Sequence, residues 1–103
     1  MAWIYLGVAG LLEIVWAYLM KLSDGFTRPA FAVGTLVTMA ASFALLSLAM
    51  RALPLGTAYT IWTGIGAVGA FVVGIVMLGE PVTPMRVAAA ILIVSGIVLM
   101  RLA

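Results

Sequence analysis

The sequence predicts an all-α membrane protein with four transmembrane helices. Of its 103 residues, 67% are hydrophobic and 8% are charged, whereas an ordinary soluble domain has about 25% charged residues. A chain of this length also encloses too small a core to bury two-thirds of its residues. We therefore expect membrane lipid, rather than water, to surround most of the chain.

Four apolar runs are candidate membrane spans. Residues 29–50 and 52–79 carry no charge, and each run exceeds the roughly 20 residues that cross about 30 Å of hydrocarbon. Residues 1–20 are interrupted only by Glu13, and residues 87–100 reach spanning length when Arg86 lies at the interface. A membrane barrel is disfavoured because these runs are apolar on every face. The predicted spans within one domain, residues 1–103, are about 2–20, 31–50, 57–78 and 82–100.

Missing residue types exclude several functions. The chain has no His and no Cys, so it cannot form Ser-His-Asp triads, thiolate zinc sites or disulfides. A net charge of +2 is too small and too dispersed for nucleic acid. The loops are too short for a nucleotide site, and the spans lack the oxygen ligands that a hard metal needs. We expect no enzyme activity, no metal, no cofactor and no nucleic-acid partner.

Glu13 is the main candidate for function because it lies near the middle of the first span. An acid at that depth costs about 2.5–3.5 kcal/mol on insertion scales, and intramembrane acids most often mark an ion or proton path. On the same helix face, Gly10 and Ala17 are expected to leave open volume, and Trp16 offers an indole N–H donor one turn away. The alternative is a protonated Glu13 that only joins helices.

Polar and aromatic side chains on the second and third spans are candidates for the same site. Thr35, Thr38 and Ser42 share one helix face. We expect the two threonines to bond to carbonyls of their own helix, whereas the deeper Ser42 could orient Glu13. Tyr59 and Trp62 share a face of the third span, although aromatic residues at the start of a span also form interfacial belts.

Small residues predict close helix contacts in the third and fourth spans. The segment GIGAVG at residues 64–69 matches G-x-G-x-x-G, but no strand precedes it, which excludes a dinucleotide site. We expect Gly64 and Gly66 to permit a bend that serves as a conformational hinge. Ala89 and Gly96 make the fourth span a packing helix for association.

The bases leave the orientation in the membrane unresolved. With four spans, Lys21, Arg28 and Arg86 lie on one side, and Arg51 and Arg101 lie on the other. A difference of one base gives the positive-inside rule almost no leverage. Either the chain simply has few bases, or it inserts in both orientations.

The whole chain resembles the small multidrug resistance transporters. The resemblance rests on four spans in about 100 residues, one acid in the first span, and the segment PLGTAYTIWTGIG at residues 54–66. The runs GLLEIVWA at residues 10–17 and KLSDGFTR at residues 21–28 are similar to the guanidinium exporter subtype. Trp16 stands where the multidrug subtype usually has glycine.

The resemblance implies an antiparallel homodimer in a bacterial plasma membrane, with both Glu13 residues in one site that binds either protons or substrate. It further implies that Trp16 and Ser42 donate hydrogen bonds to the acids, that Tyr59 and Trp62 line the site, and that the fourth helix forms the dimer contact. The predicted function is proton-coupled guanidinium export.

Chemistry independently favours guanidinium, because a planar cation pairs with a carboxylate through two parallel hydrogen bonds and stacks on aromatic rings. A multidrug or quaternary ammonium exporter of the same fold remains an alternative, although Trp16 would narrow the pocket. A proton-carrying membrane subunit is a second alternative, and a purely structural membrane protein is a third.

Overall fold

The computed structural model describes all 103 residues, Met1 to Ala103, and contains four helices joined by short loops. Each helix is long and apolar enough to cross a membrane, which confirms the predicted all-helical class with four membrane-spanning elements. In chain order the helices are α1 (Ala2–Leu22), α2 (Pro29–Ala49), α3 (Leu55–Leu78) and α4 (Pro84–Leu102).

Local sequence signals explain where the helices begin and end. Pro29 and Pro84 occupy first helical positions, where the missing N–H has no intrahelical partner to lose. The Thr83 hydroxyl accepts a hydrogen bond from the Arg86 amide at 3.2 Å and caps α4. Gly79 ends α3 with φ of 67°, a left-handed conformation that glycine adopts without steric cost.

The buried core joins α1, α2 and α3, and α4 lies outside it. Packing contacts connect α1 with α2 and α3, whereas α4 packs mainly against α3 and has no buried residue. It also contacts α1 where the Arg101 guanidinium lies 4.6 Å from the Trp3 ring centroid. The polar members of the buried set are Ser23, Thr35 and Ser42. The buried hydrophobic side chains are Leu6, Ala9, Leu46, Ala49, Ala58, Ile61 and Trp62.

The chain is a flat body that cannot enclose its own apolar surface. Its extents are 39 × 34 × 16 Å, and the shortest of these is little more than the diameter of one helix with side chains, about 10–12 Å. Only 13 of 103 residues are buried. Most apolar side chains are therefore available for contact with lipid or with another protein.

Candidate functional site

Glu13 lies at the contact between α1 and α3, and its carboxyl group rests directly on the backbone at Gly66. A Cβ atom at position 66 would overlap the Glu13 carboxyl and lie 2.7 Å from its Cγ. Glu13 itself is partly buried. Because any side chain at position 66 would occupy the space of the carboxyl group, the glycine is what allows the acid to sit there.

Three glycines of α3 each receive a side chain from a neighbouring helix. Gly66 receives Glu13, and Gly69 receives Ile14 of the same α1 turn. On another face, a Cβ at Gly64 would lie 2.7 Å from Cγ1 of Ile97 in α4. The helix is continuous from Leu55 to Leu78. In this structure the glycines therefore serve close helix packing, and the predicted hinge at Gly64 and Gly66 stays a prediction.

Ser42 connects three helices through two hydrogen bonds. Its hydroxyl donates to the Ala9 carbonyl at 2.7 Å and accepts from the Trp62 indole N–H at 3.0 Å, and its side chain is 0% exposed. This differs from the expected donation to the Glu13 carboxylate. Since the Ala9 carbonyl accepts the backbone N–H of residue 13 in an α-helix, Ser42 holds the turn that carries Glu13 rather than its carboxylate.

Two polar atoms near the centre of α1 have no hydrogen-bond partner within the chain. They are Oε2 of Glu13 and Nε1 of Trp16, both buried. The expected hydrogen bond from Trp16 to Glu13 is therefore not present in this structure. Buried polar atoms in native proteins are nearly always hydrogen-bonded. The acceptor and the donor on neighbouring turns thus have hydrogen-bonding capacity that the chain itself does not use.

Four aromatic rings form a connected row that begins at Trp16. The Trp16 and Phe43 ring centroids are 6.4 Å apart, and those of Phe43 and Trp62 are 5.7 Å apart. Tyr59 continues the row at 5.5 Å from Trp62 and is 51% exposed. Phe43 is not among the residues that the sequence predicts for the site. Its signal was an aromatic residue next to Ser42 in mid-span, away from both interfacial belts.

Gly10 does not provide the open volume expected from the sequence. A Cβ atom at this position would lie 2.7 Å from Cγ2 of Ile65 in α3, so an isoleucine side chain already fills the space beside it. The missing side chain instead lets α1 and α3 approach each other closely.

The remaining polar and small residues fall into two groups. Thr35 and Thr38 donate to the Phe31 and Gly34 carbonyls, both at 2.7 Å, which confirms the expected bonds within their own helix. Ala89 and Gly96 lie on exposed surface of α4. A Cβ at Gly96 would meet nothing within 4 Å, so this surface is open in the single chain.

Comparisons with known proteins agree on one family. Residues 1–93 match the family model described as Small Multidrug Resistance protein. The guanidinium exporter of Escherichia coli strain K12 is 55% identical over 102 residues, which cover 99% of this chain and 97% of the relative. The guanidinium exporter of Shigella flexneri is similar to the same extent, and that of Citrobacter freundii is 53% identical over 102 residues, with the same coverage.

Proposed function

This chain belongs to the small multidrug resistance protein family, and we propose that it exports guanidinium in exchange for protons. It is a multi-pass protein of the bacterial inner membrane, as its four apolar helices and its bacterial relatives indicate. Its relatives are named as exporters, and the chain is a transporter rather than an enzyme.

The observation that carries the proposed cargo is that the Glu13 carboxyl oxygen and the Trp16 indole N–H, one turn apart on α1, both lack a hydrogen-bond partner. A guanidinium ion has N–H donors in one plane, which can form two parallel hydrogen bonds with one carboxylate. The Trp16 and Tyr59 rings, which are not buried, offer faces for a flat cation, and the buried Trp62 packs against Tyr59. A quaternary ammonium ion has no N–H donor and gains nothing from a paired carboxylate geometry, so the site favours guanidinium.

The functional unit that we propose is an antiparallel homodimer, in which each copy supplies one Glu13 to a shared site. Three observations support it: the chain is a slab only 16 Å thick, α4 has no buried residue, and the bases differ by one between the two sides. A second copy would cover apolar surface that one copy leaves open. Ala89 and Gly96 are the small residues of α4 at which close helix contact is possible.

Competition for the carboxylates provides the coupling. Guanidinium needs an ionised Glu13, whereas protons occupy the same oxygens, so the two ligands exclude each other. Guanidinium binds from the cytoplasm in the inward-open conformation, and the dimer then changes to the outward-open conformation. Protons outside displace guanidinium from the carboxylates, and the protonated dimer returns to the inward-open conformation. Gly64 is where α3 meets α4, so a bend there would move the Glu13 site relative to the dimer contact.

Proteoliposomes test this exchange. A guanidinium gradient should drive opposite proton movement, and an imposed proton gradient should drive guanidinium uphill. Apparent guanidinium affinity should fall as pH drops from about 9 to about 6 as protons fill the shared carboxylates. Glu13→Gln should abolish both fluxes and the pH dependence, whereas Asp24→Asn, which changes an exposed loop acid, should preserve them. Transport by the Glu13→Gln protein would remove this acid from the mechanism.

Labelling from each side of the membrane tests the dual insertion. The chain has no native cysteine, so Thr27→Cys and Ala52→Cys report two opposite, exposed loops. Each cysteine should react from both sides in comparable amounts. If Thr27→Cys reacts only from one side and Ala52→Cys only from the other, the chain has one orientation and the antiparallel dimer is wrong.

A further inference from the structure

A cleft between the C-terminal ends of α1 and α3 lies outside the Glu13 site. Its volume is about 200 Å³, and its walls are mainly apolar. Tyr18 and Lys21 of α1 line one wall, and Glu80, just beyond α3, lines the other. The Lys21 and Glu80 side chains are exposed, so the two charges lie at the mouth of an otherwise mainly apolar cleft.

Glu80 turns back over α3 instead of extending away from it. A Cβ atom at the buried Gly74 would overlap the Glu80 carboxyl oxygen and lie 2.9 Å from its Cδ. The Glu80 backbone N–H also donates to the Gly74 carbonyl at 3.0 Å. The carboxylate therefore lies beside the last turn of α3, and the absence of a side chain at position 74 makes the room for it.

This position concentrates negative charge without a cation from α3. The C-terminal carbonyls of a helix carry partial negative charge, and the last turn of α3 contains no basic residue. Lys21 lies on the opposite wall of the cleft, in the last turn of α1, but no ion pair within 4.0 Å joins it to Glu80. The cleft thus presents a cationic wall and an anionic wall with a space between them.

A ligand that satisfies both walls carries an anion, a nearby ammonium group and an apolar chain. We propose that the cleft binds a phospholipid with a primary amine, such as phosphatidylethanolamine, with its phosphate at Lys21 and its ammonium at Glu80. One acyl chain then lies between α1 and α3. The proposal does not depend on the cargo of the Glu13 site.

The headgroup chemistry makes the proposed site selective. A primary ammonium has three N–H donors for the Glu80 carboxylate and the free carbonyls at the end of α3. The trimethylated amine of phosphatidylcholine has no N–H donor, and the glycerol headgroup of phosphatidylglycerol has no positive charge. All three lipids present a phosphate to Lys21, so only Glu80 distinguishes them.

Native mass spectrometry of the detergent-purified protein tests the site. The protein is titrated with phosphatidylethanolamine, phosphatidylcholine and phosphatidylglycerol that carry the same acyl chains. We expect phosphatidylethanolamine to bind about fivefold more tightly than the other two, the upper end of the range for one ion pair near the surface. Glu80→Gln should remove this preference but leave phosphatidylglycerol binding, and Lys21→Gln should weaken all three lipids.

Gly74→Ala provides a variant that keeps every charge. Its methyl group displaces the Glu80 carboxylate, so the preference for the primary amine should fall as it does in Glu80→Gln. The matched controls are Asp24→Asn and Arg28→Gln, which change an acid and a base at the same end of the molecule but outside the cleft. Both controls should bind lipid as the unchanged protein does.

Three results would overturn the proposal. Equal affinity for the three lipids would show that Glu80 does not recognise the amine. A preference that survives both Glu80→Gln and Gly74→Ala would place the lipid elsewhere. Failure of every lipid to bind would show that the cleft is filled by other groups, including those of a second copy.

Discussion

A methyl group at Gly66 should expel the Glu13 carboxyl group from its position against α3. The Cβ of Gly66→Ala would overlap the carboxyl and lie 2.7 Å from the Glu13 Cγ, a separation that carbon atoms do not tolerate without movement. The carboxylate is the charged partner of guanidinium in the proposed site. We therefore expect this substitution to weaken guanidinium binding, although it adds only one methyl group and changes no charge.

The expected size of the effect follows from the bonds that the carboxylate would lose. Hydrogen bonds to a charged group are worth about 1.5–3 kcal/mol, which corresponds to roughly tenfold to 150-fold in the dissociation constant. Overpacking a helix contact adds about 1–3 kcal/mol of instability. This destabilisation lowers the free energy of unfolding, so it must be measured separately from the loss of guanidinium affinity.

Gly69→Ala is the matched control for overpacking. Its methyl group overlaps the side chain of Ile14, the residue after Glu13, so both variants force α1 away from α3 at the same level. Only the methyl group of Gly66→Ala overlaps the Glu13 carboxylate. Guanidinium binding to purified, correctly assembled protein should be measured by calorimetry for both variants, with thermal unfolding recorded in parallel.

The two variants should lose similar stability but differ in guanidinium affinity. If Gly69→Ala weakens guanidinium binding as much as Gly66→Ala, the loss arises from general separation of α1 and α3. The contact between Gly66 and the carboxyl group would then have no special role in positioning Glu13.

Three further predictions concern Trp16, Gly64 and Ser42. Trp16→Gly should reduce guanidinium transport and admit bulkier cations, because it removes an indole donor and the side-chain bulk that narrows the pocket. Unchanged guanidinium turnover in proteoliposomes would refute this role. Gly64→Ala should slow the exchange between the inward-open and outward-open states, measured by NMR, more than it weakens guanidinium binding. The reason is that its methyl group meets Ile97 rather than the Glu13 site. Weaker guanidinium binding with an unchanged exchange rate would contradict the hinge. Ser42→Ala should destabilise the protein by about 1–3 kcal/mol, since it leaves the buried Trp62 N–H without an acceptor. In denaturant unfolding, Ser95→Ala should cost much less, because its hydroxyl bonds only within its own helix; equal losses would refute the account of Ser42.

The number and class of the helices could be read from the sequence because lipid imposes simple requirements on length. A span must be long, apolar and able to satisfy its backbone internally, and proline and glycine mark the helix ends at Pro29, Gly79 and Pro84. Glu13 stood out for the same reason, since a charged group at membrane depth is costly in any arrangement of the helices.

The partners of the site residues were decided only by the tertiary structure. The sequence placed Ser42 near Glu13 in depth, but the structure directs its hydroxyl to Ala9 and to Trp62. Likewise, the sequence shows that Gly66 has no side chain, but it does not show that the Glu13 carboxyl group lies against it. Helical periodicity shows which residues share one face of one helix, and it contains no information about the neighbouring helix that meets that face.

In a soluble protein the sequence partly indicates which face of a helix meets its neighbours, because the polar face identifies the side that meets water. Here lipid is as apolar as the core, so Ile65, which fills the space at Gly10, and Val76, which is 74% exposed, belong to the same class of side chain. Apolar character therefore determined that these helices cross the membrane. Their rotation about their own axes, and with it the contacts of Glu13, was determined by shape, as glycine gaps received particular side chains and buried polar atoms found particular partners.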